Sequence, residues 1–143
     1  MSKIYFSNNF SSLYVYKIND HVYKKYPLTN AGRGRFINEV NFLYNFNKYP
    51  YFPNIIEISN KDLMIKMNYC GEIINKKNIP NNWLEQITDI SNILESYNIN
   101  LLDLQKKNIL CKNNKIYLID FDSYKFSNIL DNYNKYYNIF KNI

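Results

Sequence analysis

Residues 101–122 read LLDLQKKNILCKNNKIYLIDFD, and this stretch carries the most specific pattern of the chain. Asp103 and Asn108 are separated by four residues, and Asp120 follows an apolar run further along the chain. Carboxylate and amide oxygens are the ligands that Mg²⁺ prefers, and phosphoryl transfer also needs a carboxylate that orients the attacking hydroxyl. The residue types therefore predict a magnesium and phosphate site, provided that the fold brings these three side chains together.

A hairpin supplies the means to bring them together. Residues 109–112 and 115–120 are rich in β-branched and apolar side chains, which is typical of strands. Asn113 and Asn114 join them, and paired asparagines suit the left-handed backbone of a tight hairpin turn. The pattern predicts that Asn108 enters this hairpin and that Asp120 leaves it.

Upstream of this stretch, strand and helix patterns follow one another. Residues 13–18 (LYVYKI) and 21–26 (HVYKKY) are predicted strands around a turn at 19–20. Apolar side chains at helical spacing then predict a helix over 35–47. The preceding PLTNAGRGR is interpreted as a solvated loop, with an anion-binding helix start at its GRGR portion as the alternative.

The remaining elements complete the order. Residues 54–59 and 63–69 are predicted strands, and a polar linker follows Gly71. A helix to about Tyr97 is predicted to begin with a capping box formed by Asn82 and Glu85. A last helix is predicted with an apolar face made of Phe126, Ile129, Leu130, Tyr133, Tyr137 and Phe140. Because strands and helices do not alternate regularly, the order predicts an α+β fold and not a doubly wound sheet.

The central stretch resembles the catalytic loop of protein kinases, H-R-D-L-x-x-x-x-N, followed by D-F-G. Asp103 matches the catalytic aspartate of that loop. Asn108 matches its metal-binding asparagine, and Asp120-Phe121 matches the first two residues of D-F-G. The resemblance implies that Asn108 and Asp120 hold the metal.

Residues near the N-terminus extend the resemblance. Lys24 stands where the third-strand lysine of the kinase motif V-A-I-K would be, and Val22 shares its side of the strand. Lys25 is the competing choice, but alternation points it to the other face. Glu39 begins EVNFL, which is similar to the helical E-x-x-x-L pattern whose glutamate pairs with that lysine.

The resemblance also implies a nucleotide pocket. Leu63 begins a stretch similar to the fifth strand of protein kinases, which leads into a hinge that binds adenine through backbone groups. Met67 would be the gatekeeper. The residues implied to bind ATP are Lys24, Val22, Val15, Met67, Asn68, Tyr69 and Cys70.

The fold implied is a minimal two-lobed protein-kinase-like fold, with an antiparallel sheet and one helix in the N-lobe and a truncated, mainly helical C-lobe. The implied boundaries are 1–67 for the N-lobe, 68–70 for the hinge and 71–143 for the C-lobe. The resemblance covers about residues 14–123 and is closest to the small kinase-like proteins of large DNA viruses. It implies an intracellular, cytoplasmic protein, in the host cytoplasm if the chain is viral.

Several positions depart from the kinase pattern. No glycine lies between residues 4 and 15, where the phosphate-binding loop is expected, so polar contacts would have to come from Ser7, Asn8, Ser11 and Ser12. Leu101 and Leu102 replace the histidine and arginine before the catalytic aspartate, and Gln105 replaces a lysine. Asp122 replaces the last residue of D-F-G, as is common in aminoglycoside- and choline-kinase-like phosphotransferases.

The implied activity is transfer of the γ-phosphate of ATP, with Mg²⁺, to a hydroxyl acceptor by a serine/threonine protein kinase-like enzyme. The segment after Asp122 is expected to lack the activation segment and later helices that dock peptides. A pseudokinase that binds nucleotide or a protein partner is therefore the first alternative, and a small-molecule phosphotransferase is the second.

Composition sets limits on other classes. The chain has 143 residues and a net charge of +6, which favours anionic partners such as nucleotides, and a basic nucleic-acid binder is a third alternative. It carries no signature of a specific nucleic-acid-binding module. Two cysteines without CxxC spacing and one histidine argue against a zinc site. No apolar run approaches the ~18 residues that span a bilayer, so no transmembrane segment is expected.

Overall fold

A computed structural model describes residues 3–8 and 13–143 of the chain. Helices and antiparallel sheets are both present, so the predicted α+β class is confirmed. The chain divides into two compact units, Met1–Tyr69 and Cys70–Ile143, called the first and second unit below. Within the described residues, no helix combines the length and the hydropathy needed to cross a membrane.

The first unit is built on a five-stranded antiparallel sheet in the order β1-β2-β3-β5-β4. Its strands are β1 (Lys3–Asn8), β2 (Leu13–Ile18), β3 (His21–Lys25), β4 (Ile55–Ser59) and β5 (Met64–Asn68). The turn between β2 and β3 is tight because Asn19 adopts a φ of 53°, a left-handed conformation that asparagine tolerates. Strand β1 was not predicted.

Helix α1 (Asn30–Phe46) begins five residues before the predicted start at residue 35. The Thr29 side chain caps it by accepting a hydrogen bond of 3.0 Å from the Gly32 amide. The prediction of a loop at GRGR was therefore wrong, since these residues form the first turns of the helix. Gly32 serves close packing there, because a Cβ at this position would lie 1.9 Å from the Pro27 carbonyl oxygen.

Aromatic side chains at the end of α1 form part of the core of the first unit. The Phe42 and Phe46 rings stack with centroids 4.4 Å apart, and Phe52 meets each of them edge-on at 5.5 Å. All three side chains are almost fully buried. This cluster fixes the helix relative to the segment that leads into β4, because edge-on and offset aromatic pairs pack specifically.

The second unit contains two small sheets and two helices. Its helices are α2 (Trp83–Ser96) and α3 (Asn132–Lys141). Its strands are β6 (Glu72–Ile73), β7 (Ile99–Leu101), β8 (Ile109–Lys112), β9 (Lys115–Leu118) and β10 (Tyr124–Phe126). Strand β7 pairs with β10, and β6, β8 and β9 form the other sheet in the order β6-β8-β9. A 3-10 helix, Lys106–Asn108, leads directly into β8.

The predicted hairpin is confirmed as β8 and β9, with Ile109 opposite Leu118 and Lys112 opposite Lys115. Asn113 and Asn114 form its turn with φ angles of 52° and 63°, as a two-residue turn that matches the twist of the strands requires. The side chain of Gln86 in α2 holds the turn. Its Nε2 donates to the Asn114 carbonyl oxygen at 2.9 Å, and its Oε1 accepts from the Ile116 amide at 2.8 Å.

Two predictions about helix ends and faces were wrong. Asn82 precedes α2 but makes no capping-box hydrogen bond, because its Oδ1 accepts from Gln86 Nε2 at 2.8 Å instead. The last helix begins at Asn132, so Phe126 lies in β10 and Ile129 is 84% exposed. The buried residues of α3 are Asn132, Tyr136 and Phe140.

Candidate functional site

Lys24 lies on the inward side of β3. Residues directly opposite each other in a sheet share a face, and Val15 lies opposite Lys24 while Val22 lies opposite Met67. Four of the residues predicted to bind ATP therefore share one face of the first unit's sheet. Lys25 is exposed, as alternation predicts.

The Lys24 ammonium forms a buried ion pair with the Glu39 carboxylate of α1. Nζ lies 3.0 Å from Oε1 and 3.1 Å from Oε2, so one donor group contacts both oxygens. Lys24 is 5% exposed and Glu39 is 1% exposed. The Tyr26 hydroxyl donates a further hydrogen bond of 3.2 Å to Oε2.

Burial of this ion pair affects the stability of the fold. Removing two charges from water is costly, and the cost is offset only when geometry and extra hydrogen bonds are good. Tyr26 provides such a bond, and its ring lies 5.3 Å below the Lys24 ammonium. Tyr26 was not singled out from the sequence, although its period-two spacing from Lys24 places it on the same face.

The segment 68–70 was predicted to be a hinge that binds adenine through its backbone. The Asn68 amide donates to the Asn54 carbonyl oxygen at 3.2 Å, and the Tyr69 amide donates to the Asp20 carbonyl oxygen at 2.9 Å. These two donors already have partners inside the first unit. A base bound here would therefore have to use other groups, and the role of Asn68, Tyr69 and Cys70 stays a prediction.

The segment expected to contact phosphates is only partly described. Ser11 and Ser12 lie outside the described residues, whereas Ser7 and Asn8 belong to the end of β1. Ser7 pairs with Tyr14 and Asn8 with Leu13, so the strand continues to the edge of this segment. Phosphate contacts by these four residues stay a prediction.

In the second unit, the residues after β7 fold around the Asp103 carboxylate. Asn108 Nδ2 donates to the Asp103 carbonyl oxygen at 3.0 Å and to Asp103 Oδ2 at 3.2 Å. Gln105 Nε2 donates to Oδ1 of the same carboxylate. Two amide groups thus orient Asp103, one from the predicted metal ligand Asn108 and one from Gln105, which stands in place of the kinase lysine.

Asp120 is brought to the same place by the β8–β9 hairpin. The Ile119 amide donates to the Asn108 carbonyl oxygen at 3.0 Å, which ties the end of the hairpin to its beginning. Asp120 adopts a φ of 74°, a left-handed conformation that is uncommon for residues other than glycine, although aspartate accepts it more readily than most. Strained backbone of this kind often accompanies functional sites, where the surrounding structure maintains it.

Asp103, Asn108 and Asp120 line one small pocket of the second unit. The other lining residues are Leu101, Leu104, Gln105, Ile109, Leu118, Ile119, Ser123 and Tyr136. Asp103 and Asp120 are half-buried, so both carboxylates remain accessible, while Asn108 is buried. The three residues on which the sequence interpretation began are therefore neighbours.

The donor set suits a magnesium ion that is shared with a substrate. Asn108 uses its amide nitrogen for Asp103, so its amide oxygen is the end that a metal can take. Within the described part of the chain, no group of three or more His, Cys, Asp or Glu side chains could hold a metal alone. Mg²⁺ commonly takes one or two carboxylates and completes its shell with phosphates and water, so Asn108 and Asp120 fit that pattern.

Helix α3 closes the pocket through residues that the sequence interpretation missed. Asn132 Oδ1 accepts from the Leu101 amide at 3.0 Å, and its Nδ2 donates to the Ile99 carbonyl oxygen at 2.8 Å. One turn later, Tyr136 lines the pocket and is fully buried. Apolar periodicity could not reveal Asn132, because the helix is anchored here by a buried polar side chain.

Comparison with known proteins shows the fold. No protein-family model matches the chain, and no curated protein is similar to it. Among solved structures it is similar to WbdD, in a co-crystal structure with the kinase inhibitor LY294002. The TM-score is 0.60, with 17% identity over 89% of this chain, which spans only 33% of the WbdD chain. The likeness supports a kinase-like fold, whereas the resemblance to small viral kinases stays a prediction.

Proposed function

We propose that the chain is an ATP- and Mg²⁺-dependent phosphotransferase of the serine/threonine protein kinase-like type, which transfers the γ-phosphate to a hydroxyl. The observation that supports this proposal most directly is the pocket shared by Asp103, Asn108 and Asp120. A phosphotransferase needs little covalent chemistry from the protein, because positioning and electrostatic stabilisation supply most of the catalysis. The pocket offers the residue types for both.

In this proposal, Asp103 orients the acceptor hydroxyl and accepts its proton. The amides of Asn108 and Gln105 hold the carboxylate in one orientation. A preoriented base avoids reorganisation during the reaction, which is where positioning contributes to the rate. Asp103 is half-buried, so an acceptor oxygen can reach it.

Asn108 and Asp120 would hold the magnesium ion. When bound, the ion neutralises charge that develops on the phosphates during transfer. The Ile119–Asn108 hydrogen bond keeps the two liganding residues together.

Lys24 would bind the α- and β-phosphates of ATP. Its ammonium is fixed by Glu39 and is flanked by the apolar side chains of Val15 and Val22 on the same face. Because Glu39 already holds the ammonium in one position, less side-chain entropy is lost on contact with a phosphate than for a mobile surface lysine. The buried position of the pair supports this role.

A pseudokinase that binds nucleotide or a partner is the second candidate, and two observations favour it. The amides of Asn68 and Tyr69 already have partners in the first unit, so these two donors are not available to a base. No glycine precedes Gly32, so close backbone approach to the phosphates is restricted. This candidate predicts stabilisation by a partner without phosphate transfer.

Thermal unfolding with ATP, with and without Mg²⁺, tests the nucleotide site. At a ligand concentration of 100 times Kd, the wild type should gain about 2.7 kcal/mol, a shift of several degrees that requires Mg²⁺. Asp120→Ala should lose this shift, while the exposed control Glu95→Ala should keep it. Absence of a shift in the wild type would refute the nucleotide site.

Phosphate transfer from labelled ATP to protein and small-molecule hydroxyl acceptors tests the chemistry. Asp103→Asn should keep Mg²⁺-dependent ATP binding and reduce transfer by about 10²–10⁴-fold, the usual contribution of a positioned base. Equal transfer by wild type and variant would remove Asp103 from the mechanism. ATP binding without transfer to any acceptor would favour the pseudokinase.

A further inference from the structure

Tyr136 is the one aromatic side chain among the residues that line the pocket of Asp103, Asn108 and Asp120. Its exposed fraction is 0%, so the ring and the hydroxyl are both removed from bulk solvent. The hydroxyl oxygen has no hydrogen-bond partner among the described residues. A buried hydroxyl without a partner is destabilising, so its retention beside this pocket requires an explanation.

The direction of Tyr136 is set by the helix that carries it. Asn132 lies four residues earlier, on the same face of α3, and its side chain is bonded to the backbone of β7 on both sides. Lys135 adds a contact of 3.4 Å from its Nζ to the Leu101 carbonyl oxygen and an ion pair of 3.0 Å with Asp131. The helix therefore holds the phenol firmly against the segment that carries Asp103.

The chemistry of the hydroxyl follows from its surroundings. Burial raises the pKa of Tyr136 well above its ordinary value, because the charged phenolate would be poorly solvated. The group is therefore protonated at neutral pH and is a neutral donor. The carboxylates of Asp103 and Asp120 are among the groups that line the same pocket and can accept hydrogen bonds.

We propose that Tyr136 is a positioning residue of the phosphotransferase site, whose hydroxyl donates a hydrogen bond to an oxygen that enters the pocket with the magnesium–nucleotide complex. This proposal rests on the proposed function. It assigns the oxygen to the ligand complex, as a phosphate oxygen or a water of the metal shell. Without ligand the hydroxyl has no such bond to any part of the chain that the structure describes, and it is buried by the packing of α3.

This assignment predicts an unusual combination of effects for Tyr136→Phe, which keeps the ring and removes the hydroxyl. Deleting a buried donor that lacks a partner should leave the free protein as stable as the wild type or more stable. The same deletion should weaken binding of the magnesium–nucleotide complex, because the bound oxygen loses its donor. A merely structural tyrosine would lower stability and leave binding intact.

The experiment compares wild type, Tyr136→Phe and Tyr137→Phe. Tyr137 is the neighbouring position on α3, packs near Tyr133 and Trp83, and does not line the pocket, so it controls for loss of a hydroxyl from this helix. Thermal unfolding without ligand gives stability. Titration calorimetry with ATP at saturating Mg²⁺ gives the dissociation constant.

We expect an unfolding midpoint for Tyr136→Phe equal to or above that of the wild type, with a dissociation constant about tenfold higher, as loss of one hydrogen bond implies. Tyr137→Phe should match the wild type in affinity. Unchanged affinity of Tyr136→Phe, or a loss of affinity together with a lower midpoint, would overturn the proposal for Tyr136 alone. If the wild type does not bind the complex, the proposed function fails, and the role of Tyr136 fails with it.

Discussion

The two units differ in how far their charged residues are buried and paired. In the first unit, Lys24 and Glu39 are buried and satisfy one another, with Tyr26 completing the set. In the second unit, Asp103 and Asp120 remain half-buried beside a pocket, and the nearby Tyr136 hydroxyl has no hydrogen-bond partner within residues 3–8 and 13–143. In the first arrangement the two charges compensate one another within the protein, whereas the carboxylates of the second remain accessible to a ligand.

This difference predicts that substitutions in the two units will have different effects on folding and on ligand binding. Removing one member of the buried ion pair should destabilise the fold strongly, because the other member is left as an uncompensated charge. Residues of an accessible pocket should affect folding little and ligand binding strongly. The contrast can be tested by substitutions in each unit.

The largest effect is expected from breaking the buried pair. Lys24→Met should lower the free energy of unfolding by about 3–5 kcal/mol, because it leaves the Glu39 carboxylate buried without its counter-ion. Urea denaturation measures this loss. The exposed neighbour gives the control, since Lys25→Met should change stability by no more than about 0.5 kcal/mol. The double variant Lys24→Met/Glu39→Met should recover most of the loss, and a double variant as unstable as the single one would contradict this account.

Alkaline pH should reveal the buried hydroxyl of the second unit. Because folding raises the pKa of Tyr136, the associated stability is present below the unfolded pKa of about 10 and is lost as pH rises above it. The wild type should therefore lose up to about 1.4 kcal/mol per pH unit more than Tyr136→Phe in this range. Urea denaturation at several pH values from about 9 to about 11 measures how the free energy of unfolding of each protein changes with pH. Parallel curves would show that the hydroxyl ionises as easily in the folded protein as in the unfolded chain.

The strained backbone at Asp120 predicts a smaller effect. Glycine accepts a φ of 74° without steric cost, whereas alanine does not, so Asp120→Gly should be more stable than Asp120→Ala by about 1 kcal/mol. Both variants should lose the Mg²⁺-dependent effect of ATP, because both lack the carboxylate. Thermal unfolding with and without ligand measures both properties, and equal midpoints for the two variants would argue against strain.

The smallest effect is expected in helix α1 of the first unit. A Cβ at Gly34 would meet no atom within 4 Å, so Gly34→Ala should raise stability by about 0.4–1 kcal/mol through reduced freedom of the unfolded chain. Gly32→Ala is the matched variant in the same helix and should be destabilising, because its Cβ would collide with the Pro27 carbonyl. A gain at both positions would show that the helix start can move away from Pro27.

Local signals in the sequence predicted much of this fold. The hairpin of β8 and β9 depends on a two-residue asparagine turn, and Lys24 and Lys25 separate by simple alternation. Short strands such as β7 and β10 were missed, because three residues carry too little pattern and their pairing depends on distant parts of the chain. Helix α1 was predicted too short because Gly32 indicates a loop in sequence, although it serves close packing.

The candidate site likewise contains residues that could be predicted from the sequence and residues that could not. Asp103, Asn108 and Asp120 could be chosen from motif spacing, and the structure places them around one pocket, although their roles stay predictions. Gln105 was noted only as the replacement for a lysine, and its hydrogen bond to Asp103 was not predicted. Asn132 could not be chosen, because its contribution is a pair of hydrogen bonds to particular backbone atoms. No periodicity distinguishes such an amide from an exposed one. Tyr136 was missed for a related reason, since the predicted apolar face was placed on Tyr133 and Tyr137.

The attachment of α3 to β7 through Asn132 has a consequence for the motions of the second unit. The Leu101 amide proton is held by a side chain from a helix that lies 31 residues further along the chain. That proton can exchange with deuterium only when the helix lifts away, and the same opening removes Tyr136 from the pocket. The exchange rate of this single amide proton therefore reports how often α3 detaches and Tyr136 leaves the pocket while the rest of the chain stays folded.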